Sequence, residues 1–174
     1  MKFQGIKRLT PPGSYQVNVS IKYLKEWIGE HSNPEKYPSP LDMNPDFQRG
    51  YVWTDYQQIK FIEYFLRGGI VNPIYFNCVG WMDSFKGPFV IVDGKQRINA
   101  ALNFLNNEIP AFGYYYEEYE DPIRTIGNTF IININNLKTR KDVLQWYVDL
   151  NTGGTVHTNE EIEKVKRMIE EEGS

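Results

Sequence analysis

A strand-turn-helix pattern at residues 89–105 constrains the fold of this chain more than any other feature. The β-branched run at residues 90–92 predicts a buried strand, and the Asp93-Gly94 pair after it predicts a turn. Apolar residues then recur at helical spacing, at Ile98, Ala101, Leu102 and Leu105. An acid, a glycine, a lysine, an amide and an arginine therefore meet at the start of a helix, where backbone amides and the helix dipole favour anions.

Each residue of this turn is a candidate for a defined role in a site. Asp93 is a candidate ligand for a divalent cation or a proton acceptor, and Gly94 lets a ligand approach the backbone closely. Lys95 and Arg97 offer contacts suited to phosphate, and Gln96 is a candidate to orient an attacking water. The alternative is an ordinary Asp-Gly turn whose lysine and arginine face solvent, and the local pattern does not decide between the two.

A second polar pair, Gln48-Arg49, lies among the aromatic residues Phe47, Tyr51 and Trp53. Arg49 is a candidate phosphate contact. Stacking of Arg49 on Trp53 or Tyr51 is the structural alternative, which the local sequence favours.

A third polar cluster combines Asn151 with the glycines Gly153 and Gly154. Successive backbone amides at such a glycine-rich segment can form an anion-binding nest. The commoner reason for glycines between two helices is the end of one and the start of the next, and both interpretations stay open.

Composition narrows the class of protein. The 174 residues predict one domain, with a core at about residues 17–166 and a charged C-terminal helix at residues 159–172. The single Cys78 excludes an internal disulfide and suits the cytoplasm, and no apolar run predicts a membrane span. One cysteine and two histidines also exclude a His/Cys zinc site. Because the net charge is −3, we expect any DNA binding to depend on a local stripe of basic residues and not on the whole surface. The candidate stripe is formed by Lys138, Arg140 and Lys141.

Periodicity and capping signals predict the other elements. Strands are expected at residues 17–19, 73–79 and 129–134, and helices are expected after Ser20 (ending near Gly29), after Thr54 and after Thr139. The proline-rich residues 31–44 predict an ordered loop, and the aromatic and acidic residues 114–120 predict a variable surface region.

Taken in order, the three polar clusters resemble the GmrSD-type family. Its members carry a ParB/sulfiredoxin-like N-terminal domain marked by Asp-Gly-Gln-Gln-Arg. Asp93, Gln96 and Arg97 match that signature, and Gln48-Arg49 matches an upstream Gln-Arg pair. The resemblance implies an α+β fold, with a small mixed sheet packed with helices. It also implies a domain that binds and often hydrolyses nucleoside triphosphates in the restriction of foreign, often modified, DNA.

From this resemblance we expect a nucleoside triphosphate as partner and Mg²⁺ as cofactor. Asp93 would hold the metal or act as base, Gln96 would position water, and Arg97, Lys95 and Arg49 would neutralise phosphate charge. Further phosphate-site residues are expected in the turn and the other two clusters: Gln48, Gly94, Asn151, Gly153 and Gly154.

Two departures from the family pattern keep alternatives open. Lys95 replaces a glutamine of the signature, and the chain contains no His-Asn-His nuclease domain such as full-length members carry. The chain is therefore also interpreted as a non-catalytic protein-binding module that regulates or inhibits a larger relative. Its partner would be a nuclease or another defence-system protein, with a role in defence or counter-defence. Direct DNA binding is the third alternative.

Overall fold

A computed structural model describes residues 3–6, 9–81, 83, 85–123, 127–152 and 159–172. The strands are β1 (Tyr15–Ser20), β2 (Leu41–Asp42), β3 (Ile74–Cys78), β4 (Phe89–Asp93) and β5 (Thr129–Asn135). The helices are α1 (Ile21–His31), α2 (Asp55–Leu66), α3 (Lys95–Leu105), α4 (Arg140–Thr152) and α5 (Asn159–Glu171).

The described strands form one mixed sheet in the order β1-β5-β3-β4-β2. Strand β1 is antiparallel to β5, and β3 is antiparallel to β4. Strand β3 is parallel to β5, and β2 is parallel to β4. This mixed sheet with helices confirms the predicted α+β class.

Helices cover both faces of the sheet because side chains alternate along each strand. On one face, Phe76 and Ile91 pack in a core that includes residues of α1, α2 and α3. On the other face, Val92 packs with Trp146 and other residues of α4 and α5. The central strands are therefore buried on both sides, which explains their nearly continuous apolar runs.

The predicted helix starts are confirmed by their caps. The Ser20 hydroxyl accepts a hydrogen bond from the Tyr23 amide at 3.3 Å at the start of α1. Thr54 and Gln57 form the reciprocal capping box of α2. Thr139 accepts a hydrogen bond from the Asp142 amide at 3.1 Å where α4 begins. Each cap satisfies a backbone donor that the helix itself leaves unpaired.

Helix α1 ends at His31, close to the predicted end near Gly29, and the His31 ring packs against Trp27 one turn earlier. Two other sequence-based expectations about local structure were incomplete. The proline-rich loop contributes β2, which no local signal predicts because a two-residue strand depends on its partner β4.

The aromatic and acidic segment at residues 114–120 is not wholly surface. Tyr116 and Tyr119 both pack edge-on against Phe104 of α3, and the Tyr119 hydroxyl donates to the Ala111 carbonyl at 2.6 Å. These tyrosines therefore cover the end of α3 that lies away from the charged turn.

None of the helices in the described ranges combines the length and the apolar character that crossing a membrane requires.

The second core layer can be tested at Trp146, which is completely buried. We expect Trp146→Ala to lower the free energy of unfolding by about 3–5 kcal/mol, because it leaves a large cavity between α4 and the sheet. Urea denaturation followed by circular dichroism measures the change. Ile70→Ala is the control, since Ile70 is 92% exposed, and we expect a change within about 0.5 kcal/mol there. Equal effects of the two substitutions would contradict the assigned packing.

Candidate functional site

The turn between β4 and α3 depends on glycine at position 94. Gly94 has φ +102°, a left-handed conformation that side chains disfavour. A Cβ atom built there would also lie 3.0 Å from two side-chain carbons of Ile74. Gly94 occupies the N-cap position of α3 and provides no side-chain cap, so the positive end of this helix begins directly at Lys95.

A β-bulge brings Asp93 opposite Tyr75. Tyr75 pairs with Asp93, whereas Phe76 pairs with Ile91, so β4 has one additional residue at this point. Bulges turn a side chain away from its regular direction and are common beside functional sites. The bulge thus sets the direction of the Asp93 carboxylate at the end of the strand.

Asp93 and Arg97 form an ion pair on one side of the turn. Arg97 Nη2 donates to Asp93 Oδ2 at 2.8 Å and to the Pro73 carbonyl at 2.9 Å. The Arg97 side chain is 15% exposed, and its Nε is buried without a hydrogen bond to any described residue. Buried donors are nearly always paired in proteins, so this guanidinium has donor capacity left for a further acceptor.

Lys95 lies on the other side of the turn and is 5% exposed. Its ammonium donates to the Arg49 carbonyl at 3.1 Å and lies 4.7 Å from the centre of the Tyr51 ring. Burial lowers the pKa of Lys95, and the negative charge of Asp42 opposes that shift. Both direct partners are neutral, and no described carboxylate forms an ion pair with Lys95, so this buried positive charge is not neutralised by contact.

Gln96 ties the loop at residues 49–53 (the 49–53 loop) to the first turn of α3. Its Nε2 donates to the Gly50 carbonyl at 2.9 Å, and its Oε1 accepts from the Val52 and Trp53 amides at 3.1 and 3.3 Å. The side-chain amide that we expected to orient water is therefore hydrogen-bonded to backbone. In this structure Gln96 holds the second polar cluster against the first.

Gln48 and Arg49 reach the turn through the same loop. Gln48 Nε2 donates to the Ile91 carbonyl at 2.7 Å, which attaches the loop to β4. Arg49 is half-buried, and its carbonyl accepts the Lys95 ammonium. The Lys95 ammonium lies over the Tyr51 ring, and stacking of Arg49 on Trp53 or Tyr51 stays a prediction.

A network of buried amides fixes the far end of the loop. Gln58 is 5% exposed and donates to the Trp53 carbonyl at 3.2 Å. Its Oε1 accepts from Asn103 at 2.7 Å and from Asn99 at 3.3 Å. This network connects α2 to α3 just behind the loop.

The third polar cluster is described only at Asn151. Its Nδ2 donates to the Tyr147 carbonyl at 2.6 Å, and the Tyr147 ring packs on Phe47 at 5.4 Å between ring centres. Asn151 is thereby linked to the residue that precedes Gln48. Gly153 and Gly154 lie outside the described residues.

Sequence reasoning missed Tyr75 and Asn133. Both belong to apolar strands, and only the strand register reveals that Tyr75 pairs with Asn133 on one side and Asp93 on the other. Burial and the charge of Asp93 raise the pKa of Tyr75, whereas Arg97 and a hydrogen bond with Asn133 oppose the shift. No local pattern could have placed these side chains beside the turn.

The fit of Mg²⁺ to this turn rests on Asp93 alone. Among the described residues, no three His, Cys, Asp or Glu side chains gather as a metal site. Mg²⁺ is often held by one or two carboxylates while water and substrate phosphates complete its shell. The turn therefore fits an ion that binds together with phosphate, and does not fit a permanently bound metal.

The stripe suggested for DNA binding is partly neutralised. Arg140 donates to both carboxylate oxygens of Asp46 at 2.8 and 3.0 Å and pairs with Glu172 at 3.0 Å. Lys138 donates to Asn136 at 3.0 Å. Arg140 therefore links the start of α4 to the loop before Gln48, and DNA binding remains a prediction.

The role of Gln96 can be tested by substitution. We expect Gln96→Ala to lower the free energy of unfolding by about 1–3 kcal/mol, because three hydrogen bonds to the loop backbone are lost. The Val52 and Trp53 amides should then exchange with deuterium about tenfold faster. Hydrogen–deuterium exchange measures both sites, with the exposed Gln16→Ala as control. Unchanged exchange at Val52 and Trp53 would show that Gln96 does not hold the loop.

Comparison with known proteins adds one match. The profile of the GmrSD restriction endonuclease N-terminal domain matches residues 25–129, which include the first two polar clusters but not Asn151. No curated protein and no solved structure matches the chain significantly. Because the matched segment covers more than half of the sequence, the chain belongs to the family of GmrSD restriction endonuclease N-terminal domains.

Proposed function

We propose that this domain binds a nucleoside triphosphate at the β4–α3 turn and that binding serves a restriction or defence function. The observation that carries the proposal is the pair of incompletely used cations at the start of α3. The Lys95 ammonium is buried with neutral partners, and Arg97 has a buried Nε without a hydrogen bond to any described residue.

Electrostatics supports an anionic ligand at this position. A buried positive charge with neutral neighbours costs desolvation energy, which an anion at the same place offsets. The uncapped end of α3 adds the positive pole of the helix dipole. Phosphate oxygens fit a guanidinium fork and an ammonium together, and the resemblance to GmrSD-type domains implies a nucleoside triphosphate as their source.

In the proposed complex, each residue has a separate task. Arg97 and Lys95 bind phosphate oxygens, and Asp93 orients Arg97 and supplies a carboxylate to Mg²⁺ that enters with the nucleotide. Gln96 keeps the 49–53 loop, and with it Arg49, beside the phosphates. The proposal places the domain in the cytoplasm, where nucleoside triphosphates are available.

Hydrolysis is a further step beyond binding. Orienting water through Gln96 requires its amide to exchange at least one of the loop hydrogen bonds for a water molecule. Release of inorganic phosphate, compared between the natural protein and Gln96→Glu, tests whether that exchange occurs. Phosphate release that is equal in the two proteins would assign Gln96 to positioning alone.

A second function, binding of a nuclease or other defence protein, is favoured by exposed rings on α2. Tyr56 is 70% exposed and Tyr64 is 53% exposed, and they lie on one face of the helix. Co-purification tests this function with three proteins: the natural protein, Asp93→Ala, and the double variant Tyr56→Ser and Tyr64→Ser. A stoichiometric nuclease bound to the first two proteins but not to the double variant would favour this function.

The binding proposal predicts a clear effect at Arg97. With Mg²⁺ and a panel of ATP, GTP, CTP and UTP, we expect Arg97→Lys to weaken binding about tenfold or more, because lysine keeps the charge but loses the fork. Isothermal titration calorimetry measures the affinity. Arg67→Lys is the matched control, since Arg67 is exposed at the end of α2 and contacts Phe112. Absence of binding by the natural protein to any of the four nucleotides would refute the proposal.

Substitution of Lys95 is expected to weaken nucleotide binding without lowering the stability of the fold. We expect Lys95→Met to bind the same nucleotide about tenfold more weakly while its melting temperature stays equal or rises, because methionine fills the space without a buried charge. Burial lowers the pKa of Lys95, so the charge destabilises the fold at neutral pH and this cost is relieved as the pH rises through the lowered pKa. Differential scanning calorimetry at pH 7 and pH 10 measures the stability. Unchanged affinity with a large loss of stability would make Lys95 purely structural.

A further inference from the structure

A row of three polar side chains crosses the sheet beside the charged turn. The strand register aligns Asn133 of β5 with Tyr75 of β3, and Tyr75 with Asp93 of β4. Neighbouring strands are about 4.8 Å apart, so this polar row extends about 10 Å from Asp93 into the sheet. Its neighbours Val92 and Trp146 are fully buried. The next pair along the same face, Asn77 and Asn135, is also buried and polar, but those two side chains donate to the Leu137 and Pro11 carbonyls.

Tyr75 is the centre of the polar row. It is half-buried, and its ring meets Trp146 edge-on at 5.8 Å between ring centres. Burial and the nearby Asp93 charge raise the pKa of Tyr75, so its hydroxyl keeps its proton at neutral pH and can donate. Asn133 is 5% exposed and pairs with Tyr75 in the strand register, so it lies beside Tyr75 on the strand away from Asp93.

The chemistry of the polar row differs from that of the cations beside it. Arg97 and Lys95 attract phosphate, whereas the Asp93 carboxylate repels it. A carboxylate, a phenol and an amide together match the donors and acceptors of sugar hydroxyl groups. A nucleotide base would need an open aromatic face for stacking, but Trp146, whose ring contacts Tyr75, has no exposed surface. The polar row therefore suits the sugar of a nucleotide better than its phosphates or its base.

We propose that Tyr75 is a specificity-determining residue of the triphosphate site and that its hydroxyl contacts a ribose hydroxyl of the bound nucleotide, next to Asp93 and with the buried Asn133 behind it. This inference rests on the proposed function. Its geometric basis is the bulge, which aligns the carboxylate next to the phosphate-binding cations with a hydroxyl on the adjacent strand.

The test compares three probes on the full chain by isothermal titration calorimetry with Mg²⁺. The probes are the ribonucleoside triphosphates ATP, GTP, CTP and UTP, their 2′,3′-dideoxy counterparts, and inorganic tripolyphosphate. We expect the natural protein to prefer the ribonucleotide over its dideoxy form, and Tyr75→Phe to reduce that preference about two- to tenfold through loss of one hydroxyl contact. The affinity for tripolyphosphate should not change in Tyr75→Phe.

Tyr15→Phe is the matched control, because Tyr15 is a half-buried strand tyrosine that packs on Trp81 in the other core layer. It should leave all three affinities unchanged. If tripolyphosphate and the ribonucleotide bind, but Tyr75→Phe does not change the preference for the ribonucleotide over its dideoxy form, this inference is overturned and the proposed function stands. Failure of every probe to bind would overturn both.

Discussion

The candidate site depends on the side-chain amide of Gln96, which uses both its donor and its acceptor on one loop. Three hydrogen bonds connect it to Gly50, Val52 and Trp53, which are more than forty positions away in sequence. Other contacts of this part of the chain are the Lys95 bond to the Arg49 carbonyl, the Gln48 bond to the Ile91 carbonyl and the Gln58 bond to the Trp53 carbonyl. One glutamine thus joins two separate polar clusters into a single site.

Within five residues, the arrangement separates groups with a structural role from groups that we propose bind the ligand. Gly94 allows the tight turn, Gln96 holds the loop, and Asp93 and Arg97 pair with each other. What remains unbalanced is the positive charge of the buried Lys95, while Arg97, although paired with Asp93, has a buried Nε without a hydrogen bond to a described residue. Such local cost without a structural gain is typical of functional sites, because evolution keeps it only where a ligand or reaction uses it. The family match shows a restriction endonuclease N-terminal domain, and the charge imbalance is the basis on which we propose an anionic ligand.

The sequence predicted well those features that are set by local chemistry. The Thr54 capping box, the strand before Asp93 and the turn at Gly94 depend on neighbouring residues, and each is confirmed. Features set by strand pairing were missed: β2 exists only through β4, and Tyr75 meets Asp93 only through the bulge. Individual roles were also difficult to predict. Lys95 and Gln96 have side chains suited to phosphate and water, but tertiary contact directs both to the loop backbone in this structure.

Whether the two clusters form one site can be measured by nuclear magnetic resonance titration of the ¹⁵N-labelled protein with ATP or GTP in the presence of Mg²⁺. Because Gln96 connects α3 to the loop, we expect the amide signals of residues 94–97 and 50–53 to shift together with one saturation curve. Signals of α5 should stay in place. Saturable shifts confined to other parts of the molecule, or no shifts at millimolar nucleotide, would contradict the central claim that these clusters form one polyphosphate site.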